Sequence, residues 1–463
     1  MASILPEDIL ILITDQIEAR LDRLNLASCS RRFYHLLQPH VYKSIILGYG
    51  DDARLSPLVH TIARNPTLAQ AVLHLTLHIQ YSAWACFKHK VQYDPILLNP
   101  IVKMYSHSNT EWILWERALK GDMHDSWVAL LLPQLPNLQS VETTVPFDSE
   151  LFDRMLERAT TGQKPFDTKP AFSSLIDVSV LRLDTVQGLS VSEVMPLFRI
   201  PSVRHFTGVK VTEGRSTDSD DEDQPAPPPG AGTVTSSITE IDLRASNGYR
   251  GMRNLICACP NLQSFKYRHI DEGIPGHWFN PAAFGRSLLA SSARASLESL
   301  WLDYESGEDF ETSFITTMDD FVGSLAEFTA LKHIHLRVQN LLHSKPLIEI
   351  LPSSLESLCI TSCNLSLGGR LPLLTEQLRV LIVHFREQTP GLVQLDIQGN
   401  DFFDKKNYPT LSKDMLKSYP QQPVSCIKPG VYEITSGLRA VCADAGIRFH
   451  VRDRYIEWHF YDR

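Results

Sequence analysis

What the chain has little of narrows its class first. No apolar run approaches the ~18 residues that a membrane-spanning helix needs. The opening Met1-Ala2-Ser3-Ile4-Leu5-Pro6 puts no basic region ahead of an apolar one, so it does not read as a secretory signal. Cysteine is scarce: eight in 463 residues, at positions 29, 86, 257, 259, 359, 363, 426 and 442. Such scatter argues against a disulfide framework and for reduced thiols, hence a cytoplasmic or nuclear protein. Positive charge is short as well, 44 Lys and Arg against 53 Asp and Glu. Of the net charge of −9, five units sit in one run (Asp218, Asp220, Asp221, Glu222, Asp223), so the rest of the chain carries only −4. No basic field is left to attract nucleic acid or an anionic membrane. Catalytic signatures are missing too: there is no phosphate-binding glycine loop with its lysine, no G-x-S-x-G elbow and no H-E-x-x-H. Cys257-x-Cys259 and Cys359-x3-Cys363 lack partner ligands at zinc spacing. Neither a cofactor nor a metal site is expected, nor a catalytic residue.

What is present begins at the N-terminus. In Leu5-Pro6-Glu7-Asp8-Ile9-Leu10 the proline suits the first turn of a helix, where its missing N–H costs nothing. Ile9, Leu10, Ile13 and Ile17 then recur at helical spacing. A second stripe follows in Leu26, Cys29, Phe33, Leu36 and Leu37, after which Pro39 is expected to end that helix and start a third through Val41, Tyr42 and Ile45. Three helices in about 45 residues cannot bury a good core alone, so part of their apolar surface should meet a partner.

These residues, with Asp22, Cys29-Ser30-Arg31-Arg32-Phe33 and Pro39-x-Val41-Tyr42, resemble the F-box motif, most closely in its filamentous-fungal form. The resemblance implies binding to the Skp adaptor of an SCF-type ubiquitin ligase. Carried over by position, Leu5, Pro6, Ile9, Leu10, Leu26, Cys29, Ser30, Phe33 and Leu36 form or support the adaptor-facing surface. Two positions depart from the pattern: Arg23 follows Asp22 where Leu is common, and Cys29 stands where Val is usual.

Beyond residue 50 a different rhythm sets in. An apolar residue is followed three and five places later by others at Val72/Leu75/Leu77, Leu138/Val141/Thr143, Leu175/Val178/Val180, Val203/Phe206/Gly208 and Ile238/Ile241/Leu243. It recurs at Leu262/Phe265/Tyr267, Leu297/Leu300/Leu302, Leu331/Ile334/Leu336, Leu355/Leu358/Ile360 and Leu378/Leu381/Val383. The stretch Leu355-Glu356-Ser357-Leu358-Cys359-Ile360-Thr361-Ser362-Cys363-Asn364-Leu365 fits L-x-x-L-x-L-x-x-N/C-x-L at every position. Leu135-Pro136-Asn137-Leu138-Gln139-Ser140 and Cys259-Pro260-Asn261-Leu262-Gln263-Ser264 mark where a helix ends and a strand begins. The pattern resembles the leucine-rich repeats of F-box proteins. The fold class expected is therefore α/β: a three-helix F-box over 1–45, a helical connection over 46–67, and over 68–463 a leucine-rich-repeat solenoid with a curved parallel sheet. Thr143 and Gly208 stand where aliphatic residues belong. Trp112, Trp115 and Trp127 read as the packed core of an oversized insertion, and the stretch from Gly446 to Val451 as a closing strand. The acidic and Pro-rich stretch 213–237 cannot collapse and is expected to be a disordered loop.

In a repeat strand the residues between the core positions point away from the core. Those of the central repeats include Arg244, Arg268, Trp301, His335, Arg337 and His384, together with Asp242, Lys266 and Asp303. An accessible Trp flanked by arginines has the composition of an interaction hot spot, suited to an acidic or phosphorylated motif of a protein substrate. The function expected is substrate recognition for an SCF-type ubiquitin ligase. An adaptor-binding protein without a ubiquitination role and an enzyme with a cryptic pocket in the repeats remain open as alternatives.

Overall fold

The computed structural model describes residues 6–17, 20–79, 93–121, 123–145, 149–182, 188–213, 235–270, 279–304, 321–342, 345–363, 370–400, 402–404 and 427–454. Leu5, the stretch 214–234, Leu365 and the aromatic residues after 454 lie outside these residues. The chain divides into two compact units: Met1–Val209 with Val234–Ser237, and Lys210–Thr233 with Ile238–Arg463.

The first unit opens with helices α1 (Glu7–Asp15), α2 (Arg20–Ser28) and α3 (Arg31–Tyr42). Glu7 and Asp8 fall in the first turn of α1, where the helix dipole favours negative charge. The sequence placed Leu26 to Leu37 on one helix. Instead Ser30 interrupts it and caps α3, its hydroxyl accepting from Phe33 N at 3.1 Å. The helix break expected at Pro39 does not occur: α3 runs through it to Tyr42, because near a helix end only one backbone bond is forgone. Ile45 belongs to a strand, not to a third helix.

That strand is β1 (Ser44–Leu47), followed by β2 (His74–Leu77), β3 (Ser140–Thr144), β4 (Asp177–Leu181), β5 (Leu189–Ser190) and β6 (His205–Val209). Strands β1, β2, β3, β4 and β6 pair in parallel and in that order. Their register lines up Ile45, Leu75, Val141, Val178 and Phe206 in one buried row, and Leu47, Leu77, Thr143, Val180 and Gly208 in the next. The two degenerate positions thus lie in the same core row, on either side of Val180. Helices Pro95–Tyr105, Asn109–Lys120 and His124–Leu131 form the insertion between β2 and β3; they bury Trp115 and Trp127, while Trp112 is only half-buried.

The second unit contains β7 (Val211–Thr212), β8 (Glu240–Ser246), β9 (Ser264–His269), β10 (Ser299–Tyr304), β11 (His333–Arg337), β12 (Ser357–Thr361), β13 (Gln394–Gly399) and β14 (Arg448–Asp453). From β8 to β14 each strand pairs in parallel with the next. Ile241, Phe265, Leu300, Ile334, Leu358, Leu395 and Phe449 share one core row. The strand entries repeat one device. Two successive N–H groups, such as those of Glu298 and Ser299, donate to one carbonyl of the preceding repeat, here Gln263 O. Just before each, a tight turn such as Leu262 N to Cys259 O delivers the core leucine. Repeats built this way borrow their neighbours' core, so stability comes from stacking.

One predicted strand is a helix. Leu378, Leu381 and Val383 lie in Arg370–Val383, whose Leu371, Leu374, Leu378 and Leu381 follow helical spacing; the three-then-five pattern does not separate the two conformations. The strand is β13, where Leu392, Leu395 and Ile397 carry the same pattern. The closing strand does form as β14, after the helix Pro429–Ala445, which ends on Gly446 at φ 75°.

Candidate functional site

Two surfaces stand out, each within one unit. On α1 the buried side consists of Leu10, 6% exposed, and Thr14. Ile9, Leu12 and Ile13, spaced i, i+3, i+4 and so on one face, remain 41%, 59% and 48% exposed. Leu24 of α2 and Tyr34 of α3 are exposed too. Of the other residues carried over from the motif, Pro6, Cys29 and Ser30 are exposed, and Leu26, Phe33 and Leu36 are half-buried. Cys29 Sγ donates to Asn25 O at 3.3 Å, so its polar atom is satisfied by the last turn of α2, which it follows. Sequence reasoning put Ile13 on the stripe but singled out neither Leu12 nor Leu24. Which face of α1 packs on α3 is not written in the local pattern.

The second surface is the polar side of β8 to β14. Register aligns Asp242, Lys266, Trp301, His335, Cys359, Asp396 and His450 in one row. In the next row Arg268 is the partner of Asp303, Arg337 of Thr361, and Gln398 of Arg452. Arg268, Trp301, His335 and Arg337 therefore come together on three adjacent strands, as expected. Arg244 ends the same side of β8 but is bound to Asp242 by two hydrogen bonds, 2.9 and 2.8 Å. His384 does not belong here: it follows the helix Arg370–Val383, with its N–H bonded to Val380 O, and is exposed.

This side is not a row of independent solvated groups. Trp301 and His335 stack with ring centroids 3.7 Å apart and planes 13° from parallel. His335 Nε2 lies 3.8 Å from Asp303 Oδ2, and Arg454 Nη2 lies 3.6 Å from the same oxygen. Asp303 Oδ1 accepts from Tyr304 N at 2.8 Å and from the Thr361 hydroxyl at 3.5 Å. Burial by itself raises the Asp303 pKa, but the His335 and Arg454 side chains outweigh it and hold the carboxyl at about 2. Arg454 follows β14, four strand positions from β10, a distance of about 19 Å across a flat sheet. Its guanidinium nevertheless donates to Tyr304 O at 2.8 Å, so this side curls inward.

A second anionic node sits at Asp396, which receives His450 Nδ1 at 2.7 Å, Arg452 Nη2 at 2.8 Å and Gln394 Nε2 at 2.9 Å. Sequence reasoning missed it because β13 was misplaced; Leu392-x-x-Leu395-x-Ile397-x-x-Asn400 was the available signal. In the first unit, His74 meets the Ser140 hydroxyl at 2.8 Å and His78 meets Glu142 at 2.9 Å, each a cross-strand pair. Among the described residues no group of three or more His, Cys, Asp or Glu is placed to hold a metal ion, and no helix is long and apolar enough to cross a membrane.

Comparison with known proteins fits this geometry. The family model described as leucine-rich repeat domain matches residues 49–398, three-quarters of the chain, and the chain belongs to that family. Domains of this kind are usually non-catalytic modules that bind other proteins. No F-box family model matches the N-terminal helices. No curated protein matches the chain.

Proposed function

We propose that the protein is the substrate-recognition subunit of an SCF-type ubiquitin ligase. Residues 1–45 act as its F-box, and the leucine-rich repeats hold a target protein. The observation that carries this reading is the exposed apolar face Ile9–Leu12–Ile13 on a short helix that already has a buried side through Leu10. A three-helix segment this small gains little by leaving isoleucines in water unless a partner covers them. The F-box resemblance supplies the partner's identity, the Skp adaptor; the repeat family supplies a module that binds proteins. No catalytic residue is required of this chain. Its contribution is proximity, which raises the effective concentration of target lysines at the conjugating enzyme.

Copurification with the adaptor tests the reading, wild type against Ile9→Asp. Because Ile9 is exposed, the substitution leaves the free fold intact, whereas in a buried apolar contact the new charge costs several kcal/mol, about 100-fold or more in affinity. Adaptor retained equally by both proteins, or by neither, contradicts the proposal. If the adaptor is retained but no protein is destabilised in cells through this chain, the reading without a ubiquitination role takes its place.

A further inference from the structure

We propose that the outer face of the helices Arg370–Val383 and Pro429–Ala445 docks a second copy of this chain across a two-fold axis. The aliphatic stripe of the first helix seats on the small-residue stripe of the partner's second helix. The contact uses none of the residues invoked for adaptor binding and does not depend on that reading.

The two helices connect β12 to β13 and β13 to β14, which are parallel neighbours, so they run in the same direction and pack side by side. Towards the core the first presents Leu371, Leu374, Leu378 and Leu381, and the second Val431, Leu438 and Cys442. The opposite side of such a helix is ordinarily polar. The helix Glu150–Thr161 shows that case, with Glu150, Arg154 and Glu157 facing outward. On Arg370–Val383 the outward positions instead hold Leu373, Val380 and Val383, 53%, 43% and 69% exposed, at i, i+7 and i+10 of one face. The two charged residues among them, Glu376 and Arg379, pair at 3.0 Å, so the stripe carries no net charge to repel its like.

The neighbouring helix identifies the occupant. Its outward side runs Glu433, Gly437, Ala440, Ala443 and Asp444, all exposed, and a Cβ added at Gly437 would meet nothing within 4 Å. Ala440 and Ala443 repeat the three-residue spacing of Val380 and Val383. Within one molecule the bulky and the small stripe lie side by side and cannot meet. A two-fold axis running between the helices and parallel to them lays each bulky stripe on the small stripe of the other copy, so the contact is made twice. Val380 and Val383 then fill the space beside the partner's Ala440 and the partner's Ala443, as ridges enter grooves. The charges agree: the acids that flank the small residues, Glu433 and Asp444, meet the helix that carries Arg379. A different protein would need only the aliphatic stripe; a second copy uses both.

Sedimentation equilibrium of the full chain measures the association. Wild type should be mostly dimeric at about 50 µM, with a Kd of about 10 µM or below. Val383→Asp, which sets a charge in the apolar contact, should weaken the dimer about tenfold or more. Ala440→Leu is the sharper variant. It enlarges the exposed apolar surface yet should also weaken the dimer about tenfold, because the leucine occupies the space that the partner's valine needs. Both positions are exposed, so each variant is expected to keep the wild-type thermal transition, which is checked alongside. Monomeric wild type at 50 µM assigns the face to another protein and overturns the proposal. A dimer that survives Val383→Asp, or one strengthened by Ala440→Leu as a merely adhesive surface would be, overturns it as well. Ile9→Asp should leave the association unchanged; a dimer lost in that variant belongs to the N-terminal helices instead.

Discussion

Replacing Asp303 by Asn keeps the shape of the side chain and an oxygen able to accept from Tyr304 N and the Thr361 hydroxyl. What it removes is the charge that His335 and Arg454 face. The carboxyl is held at about 2 against an ordinary value of 3.8, close to two units. At 1.36 kcal/mol per unit this is on the order of 2–3 kcal/mol of stability carried by the ionised form. The folded-state pKa is depressed, so this contribution is present above pH 3.8 and fades as pH falls towards 2. A similar figure follows from the opposite direction: a buried cation left without its partner costs about 3 kcal/mol or more. Hydrogen exchange of the β10, β11 and β12 amides in native buffer at pH 7 measures the local opening free energy. The Asn variant should open more easily by about 2–3 kcal/mol in these strands, with β2 and β3 unaffected. Arg454→Met should cost less on the Asn background than on wild type, because the two residues share one interaction. An Asn variant within about 0.5 kcal/mol of wild type would refute the idea that Asp303 knits this side together.

Asp125 should give the opposite pH response. It accepts from Leu151 N and Phe152 N, both at 3.0 Å, yet burial dominates and pushes its carboxyl up to about 6. With the folded-state pKa raised, stability is full below pH 3.8 and declines as pH rises through 6. The advantage of wild type over Asp125→Asn in urea titrations should therefore shrink by about 2 kcal/mol between pH 4 and pH 7; a constant difference contradicts this. Arg158 reaches Glu111 at 2.7 Å in a nearly buried pair that joins the helices Asn109–Lys120 and Glu150–Thr161. Arg158→Ala should cost about 3–5 kcal/mol by leaving that carboxylate alone, and Arg158→Met with Glu111→Leu should recover most of it. At Gly285 an added Cβ would sit 1.7 Å from Val322 O, a backbone atom that cannot swing aside. Gly285→Ala should therefore lower the urea midpoint by the equivalent of about 2 kcal/mol or more, whereas Gly430→Ala, with open space around it, should not.

The repeat strands were legible because each buries two residues at fixed spacing after a turn, and that spacing survives insertions of any length. Nine of the ten predicted core triplets fall on parallel strands. The tenth, Leu378/Leu381/Val383, shows the limit: three apolar positions fit a helix face and a strand face equally, and only the neighbouring Leu371 and Leu374 tip the balance. Strand β1 was hidden for a related reason, since Ile45 and Leu47 alternate over too few residues to stand apart from a helix end. The site was legible residue by residue but not as a network. Alternation put Arg268, Trp301, His335 and Arg337 on one side, but the clasp of Asp303 by Arg454, 151 positions along the chain, depends on curvature that no local pattern encodes. The same holds at the N-terminus: periodicity found the apolar residues of α1, while the division into Leu10 inside and Ile9, Leu12 and Ile13 outside needed the packing of α1 on α3.

Hydrogen exchange of the full chain with and without the Skp adaptor locates the contact as well as detecting it. Adaptor-dependent protection is expected across α1 and α3, covering the exposed Ile9, Leu12 and Ile13, with the β9–β11 amides unchanged and the protection abolished by Ile9→Asp. Protection confined to the repeats, or none anywhere at saturating adaptor, would contradict it.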